Sequence, residues 1–181
     1  MAAGIEFKAR AATIDETAIK ASARAEGISP DDTALLLAEL KAVRIARSVP
    51  DAVVIGCDQL LVCGHAWFDK PADVAAVGTQ LQALRGKSHT LHTAVVCQRG
   101  DARLWHHIAR PRLTMRNFSD AFLERYLERE GEVVTHSVGG YRLEGLGVQL
   151  FDAIDGDHAS ILGLPLLPLL GFLRQHGAVM I

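Results

Sequence analysis

The chain has 181 residues, of which 49% are hydrophobic and 22% charged. That length predicts one globular domain, able to bury roughly 70% of its unfolded surface without a disulfide or metal staple. Lys and Arg number 19 against 21 Asp and Glu, a net charge of −2. This balance argues against non-specific nucleic-acid binding and against a polybasic membrane patch. An anionic substrate must therefore be met by a local cluster of cations. No apolar run reaches the ~18 residues of a membrane span. The opening MAAGIEFKAR carries no signal-peptide core. A cytoplasmic protein with no membrane or nucleic-acid partner is expected. Cys57, Cys63 and Cys97 form no CxxC pair and lie in apolar runs, so all three are expected as buried small hydrophobes.

Residues 5–13 read as a weak extended stretch, followed by the acid pair Asp15-Glu16 before a helix. Ser29-Pro30-Asp31-Asp32 is a helix start, with Ser29 as N-cap and acids in the first turn. Its apolar stripe runs to about Arg47, and Pro50-Asp51 breaks it. Two short apolar strands follow, Ala52 to Ile55 and Leu60 to Val62, with Gly56-Cys57-Asp58-Gln59 between them. Val74, Val77, Leu81 and Leu84 recur at helical spacing, with Gly86 as the stop. Residues 88–97 and 103–115 read as strands joined by Arg99-Gly100-Asp101. Ser119 caps a helix to about Glu130. The glycine-rich segment 138–151 reads as extended, and Leu164 to His176 as a last helix. Alternating strands and helices predict an α/β or α+β fold around one core.

Asp58 stands out because it interrupts an apolar run. A carboxylate there must be hydrogen-bonded, metal-bound or at a strand end facing a cleft. A turn or cap role and a functional role both remain open. Lys70 precedes Pro71 and a helix start, which suits a phosphate as well as a solvated lysine. Gly86-Lys87-Ser88-His89-Thr90 ends a helix instead of opening one, so it is not a Walker A loop. Asp15-Glu16 suits a helix N-terminus. In Gly139-Gly140-Tyr141-Arg142-Leu143-Glu144-Gly145 the glycines mark close backbone approach or a bulge, and Glu144 is a third acid in an unusual setting. The eight histidines show no zinc spacing. Glu16, Asp58 and Glu144 instead suit a hard cation such as magnesium, held together with substrate phosphates.

Taken in order, a set of segments resembles the Maf family of nucleotide pyrophosphatases. They are Ile14-Asp15-Glu16, Glu39-Leu40-Lys41-Ala42, Val54-Ile55-Gly56-Cys57-Asp58-Gln59, Asp69-Lys70-Pro71, Leu84-Arg85-Gly86-Lys87-Ser88-His89, Gly139-Gly140-Tyr141 and Gly163-Leu164-Pro165. Each is weak alone, but their order over positions 14–165 is specific. The resemblance implies hydrolysis of nucleoside triphosphates to monophosphate and pyrophosphate, with house-cleaning of modified nucleotides as one role. It implies a central mixed sheet flanked by helices, in two lobes with a cleft, similar to the inosine-triphosphate pyrophosphatases. By resemblance Asp58 is the catalytic carboxylate, activating water or holding the metal, and Glu16 is an acid near that metal. Lys41, Lys70 and Lys87 match lysines of the cleft. The expected cofactor is a divalent metal, Mg2+ or Mn2+, bound by Glu16, Asp58 and Glu144, and the expected assembly is a homodimer.

Two departures from the family pattern stand out. Many relatives have Asp-Lys before the Gly-x-Tyr segment and glutamine after it, where this chain has His136-Ser137 and Glu144. A branch of the family reads Ser-Val-Gly-x-Tyr-x-Leu-Glu-Gly, and this chain resembles that branch. The family also normally begins with a strand and a Ser-x-Ser-x-x-Arg-type loop that contacts the triphosphate. Here Ala2-Ala3-Gly4-Ile5-Glu6-Phe7 matches the end of the following helix. A single domain over residues 1–181 is expected, lacking that strand and loop, with a misassigned start as the favoured cause. The alternative function is a catalytically impaired nucleotide-binding or regulatory protein, since the family has been linked to inhibition of septum formation.

Overall fold

The computed structural model describes residues 4–179. Met1 to Ala3, part of the segment matched above to a helix end, lie outside the described residues. In chain order the elements are α1 (Glu16–Ala25), α2 (Pro30–Ala46), β1 (Val54–Cys63), β2 (Ala66–Phe68), α3 (Val74–Leu84), β3 (Ser88–Arg99), β4 (Ala102–Ala109), β5 (Arg112–Met115), α4 (Asp120–Glu130), β6 (Phe151–Asp155), α5 (His158–Ile161) and α6 (Leu166–Gln175). The α/β expectation holds: a six-stranded sheet runs in the order β2-β1-β3-β5-β6, with β4 also paired to β3. A mixed sheet was expected, but β1–β2, β3–β4, β3–β5 and β5–β6 are all antiparallel. For β1–β2 and β3–β4 the reason is local. Tight turns at Gly64 and Gly100, both with positive φ, reverse the chain between neighbouring strands. β4 and β5 follow one another along β3, interrupted at Arg110-Pro111. Proline has no N–H for the ladder, so the strand breaks there.

The caps follow the sequence. Asp15, Ser29, Asp73 and Ser119 each accept a backbone N–H in the first turn of α1, α2, α3 and α4. The two apolar segments around Asp58 merge into one ten-residue strand, β1. Alternation along β1 buries Gly56, Asp58 and Leu60 and turns Ile55 and Cys57 outward. The cysteine expectation therefore fails in part: Cys97 is buried, Cys63 is half-buried and Cys57 is exposed. An apolar neighbourhood in sequence does not bury a residue whose strand parity points it out.

The chain packs as two compact units. One comprises Met1–Asp58, Thr93–Ala109 and Gly163–Ile181, the other Gln59–His92 and Arg110–Leu162. The core of the first includes Val95, Cys97, Leu169, Phe172 and Leu173. The core of the second is built on Leu61, Val77, Leu81, Leu91, Leu113, Phe118, Tyr126 and Tyr141, among others. In this second unit Gln59 donates to the carbonyls of Ser160 and Ile161 at 3.1 and 3.2 Å, tying β1 to α5.

The glycine-rich segment is not extended. It forms 3-10 turns at Val138–Gly140 and Leu146–Leu150, with φ of 77° and 70° at Gly139 and Gly140. Two successive residues in this region bend the chain out of any strand. A Cβ at Gly139 would stand 2.5 Å from Leu61 Cδ1, and one at Gly140 2.6 Å from Val77 Cγ1. The Gly-Gly-Tyr motif is thus a packing device. Tyr126 Oη donates to the Gly140 carbonyl at 3.1 Å, and Tyr141 Oη lies 2.8 Å from His89 Nε2.

His89 is 2% exposed, and burial pushes its pKa from 6.5 down to about 4. The folded state therefore takes up this proton less readily than the unfolded chain. The stability that neutral His89 brings is complete above pH 6.5 and is lost as pH falls through 4. A shift of this size corresponds to roughly 3 kcal/mol. Denaturant unfolding over this window should show that loss, and His89→Gln, which cannot gain the charge, should flatten it.

Candidate active site

The first unit gathers three of the expected site residues. Asp15 caps α1 by accepting from Ala18 N–H at 2.9 Å, which places Glu16 as the first helical residue. Lys41 lies on α2, whose residues Ala34, Ala38, Ala42 and Ala46 form a buried stripe of small side chains. β1 meets that stripe at Gly56. A Cβ at Gly56 would lie 2.3 Å from the Ala38 carbonyl oxygen and 2.8 Å from Ala42 Cβ. The alanines and the glycine let strand and helix approach closely, and Asp58, two residues on with the same parity, meets Lys41.

Lys41 bridges the two acids. Its ammonium lies 2.7 Å from Glu16 Oε1 and donates to Asp58 Oδ1. The Asp58 side chain is only 6% exposed and that of Lys41 22%. The other Asp58 oxygen, Oδ2, is buried and has no hydrogen-bond partner among the described residues. Lys20, buried one turn after Glu16, holds its ammonium 3.9 Å from Glu16 Oε2.

Burial raises the pKa of Asp58 above the usual carboxylate value, with Glu16 pushing the same way and Lys41 and Lys20 opposing. Burial alone would lower Lys41, but hydrogen bonds to Asp58 and Glu16 outweigh it and hold the ammonium charged. The site is therefore a compact group of two carboxylates and two lysines. It offers a partly desolvated carboxylate as a base and a cation within reach of a phosphate.

The donor set was compared with the expected metal. Among the described residues no cluster of three or more His, Cys, Asp or Glu is placed to hold an ion. Two carboxylates with one unpartnered buried oxygen do fit magnesium, which keeps water ligands and takes one or two carboxylates besides substrate phosphates. Glu16 and Asp58 are the residues that would hold it.

The remaining expected residues belong to the second unit. Lys70 is exposed ahead of Pro71, and Glu144 is exposed between two 3-10 turns. The Lys87 ammonium donates to the Ala83 carbonyl at 2.8 Å, satisfying an acceptor at the end of α3. Sequence reasoning missed Lys20, although its i, i+4 spacing from Glu16 was legible. It also missed the Gly56 contact with the alanine stripe, whose signal was four alanines at spacing four.

The lysine-bridged carboxylate pair falls on Glu16, Lys41 and Asp58, and comparison with known proteins gives the family. A family model described as Maf-like protein matches residues 1–176, and the chain belongs to the Maf family. It is 58% identical to the nucleoside triphosphate pyrophosphatase of Granulibacter bethesdensis, over 98% of this chain and 90% of that protein. It is 54% identical to the nucleoside triphosphate pyrophosphatase of Rhodospirillum rubrum, over 98% and 88%. It is 47% identical to the 7-methyl-GTP pyrophosphatase of Brucella abortus, over 98% and 89%. Among the described residues no helix is long and apolar enough to cross a membrane.

Proposed function

We propose that this chain is a nucleoside triphosphate pyrophosphatase, a hydrolase acting on the α–β anhydride. The observation that carries the reading is Asp58: buried, bridged to Glu16 through Lys41, and with one oxygen unpartnered. The relatives named above support it. In the reaction, Asp58 accepts a proton from water as the water oxygen bonds to the α-phosphorus. The bond from that phosphorus to the α–β bridging oxygen breaks, and pyrophosphate leaves with the electron pair. Lys41 lies beside Asp58, where its charge can be set against the negative phosphates. A divalent cation, Mg2+ or Mn2+, held by Glu16 and Asp58 would supply Lewis-acid charge when bound. A role for Lys87 as a phosphate contact and a homodimer rest on the family resemblance, whereas Lys70 as a phosphate contact, Glu144 as a metal ligand and a cytoplasmic location rest also on the reading of the residues themselves.

The relatives named for 7-methyl-GTP support a modified purine nucleotide as a substrate to set beside the common ones. Pyrophosphate release from a panel of NTPs and dNTPs, with 7-methyl-GTP included and Mg2+ present, tests the reading. Turnover of at least one member is the expected result. Nucleotide affinity by calorimetry without any pyrophosphate release would favour the regulatory alternative instead.

A further inference from the structure

The two acids expected to bind a cation already hold one. The Lys41 ammonium takes Glu16 Oε1 and Asp58 Oδ1, and Lys20 stands near Glu16 Oε2. Two lysines against two carboxylates leave the group with no net charge. A divalent ion approaching this group alone meets two fixed ammonium charges. It must also compete for the same carboxylate oxygens, of which Asp58 Oδ1 is already desolvated and paired. A metal that arrives on a triphosphate meets a different balance. The nucleotide brings several negative charges, which compensate the lysines and offer Lys41 a new acceptor.

We propose that Lys41 is an internal counter-cation that occupies the carboxylate pair until substrate arrives, so that the site takes a metal–nucleotide complex and not the metal first. This rests on the pyrophosphatase reading and specifies the form of its substrate. Lys41 then moves from the carboxylates to the phosphates, and Asp58 Oδ1 joins the already unpartnered Oδ2 in facing the incoming ion. Lys20 remains beside Glu16 and keeps that carboxylate oriented.

The test is a titration of the nucleotide-free protein with Mn2+ alone, followed by electron paramagnetic resonance of the free ion. The wild-type protein should bind Mn2+ weakly, and Lys41→Met should bind it at least tenfold more tightly. Lys41→Arg, which keeps the charge, should stay close to wild type. Equal or weaker Mn2+ binding by Lys41→Met overturns the proposal. Because Lys41→Met leaves buried acids without their partner, its folding is checked first by thermal melting. If it does not fold, the wild-type protein decides the matter through the side-chain ammonium NMR signal of Lys41. That signal should move when Mg2+ is added with a non-hydrolysable NTP analogue and stay in place with Mg2+ alone. Movement with Mg2+ alone overturns the proposal. Pyrophosphate release by the wild-type protein is measured in parallel. Its presence together with a failed Mn2+ result removes only this inference, whereas its absence with every nucleotide removes the function itself.

Discussion

Asp58→Asn is expected to lower kcat by about 10²–10⁴-fold, the range associated with loss of a general base. The fold should survive the change. Asparagine has nearly the same shape, and its carbonyl oxygen can still accept from Lys41. The Lys41 ammonium also keeps Glu16 at 2.7 Å, so it is not left as an unpaired cation. The substitution removes a carboxylate whose ionisation burial already disfavours, which further limits the cost to stability. Steady-state kinetics and thermal melting on the same sample separate the two effects. A melting point far below wild type, or activity close to wild type, would contradict the role given to Asp58. Glu16→Gln provides a companion check, because full activity in that variant would remove Glu16 from the site.

Gly56→Ala is expected to damage both stability and activity, although it lies outside the chemistry. The added methyl would sit 2.3 Å from the Ala38 carbonyl oxygen and 2.9 Å from the Ala42 backbone nitrogen. Neither is the movable end of a flexible side chain, so β1 or α2 must shift. Overpacking of this kind costs about 1–3 kcal/mol. The shift would also separate Asp58 from Lys41, because one is carried by β1 and the other by α2. Denaturant unfolding should report the loss of stability, and kcat should fall in protein that remains folded. A variant with wild-type stability and turnover would show that the close approach is not needed.

These two positions were unequally visible in the sequence. Asp58 could be singled out because a carboxylate in an apolar run demands an explanation. Gly56 was one residue of a motif, and nothing local says that a helix backbone lies against it. Glu16 was legible as half of an acid pair, but only the structure divides that pair. Asp15 turns to its own helix as a cap, while Glu16 reaches Lys41. Lys87 was legible only as a lysine of a family motif, and the structure adds that its ammonium donates to the Ala83 carbonyl.

The caps at Ser29 and Ser119, the helix starts and the family motifs were determined by the sequence itself, because each depends on residues within a few positions of one another. The tertiary structure decided the rest. The hairpins β1–β2 and β3–β4 turn at Gly64 and Gly100, and the Gly139-Gly140 bend packs on Leu61 and Val77. The same holds for the charge balance first read from composition. A net −2 said only that cations must cluster somewhere. Their place was set when α1, α2 and β1 brought Glu16, Lys20, Lys41 and Asp58 together, since a contact between residues so far apart in sequence is selected by packing and not by propensity.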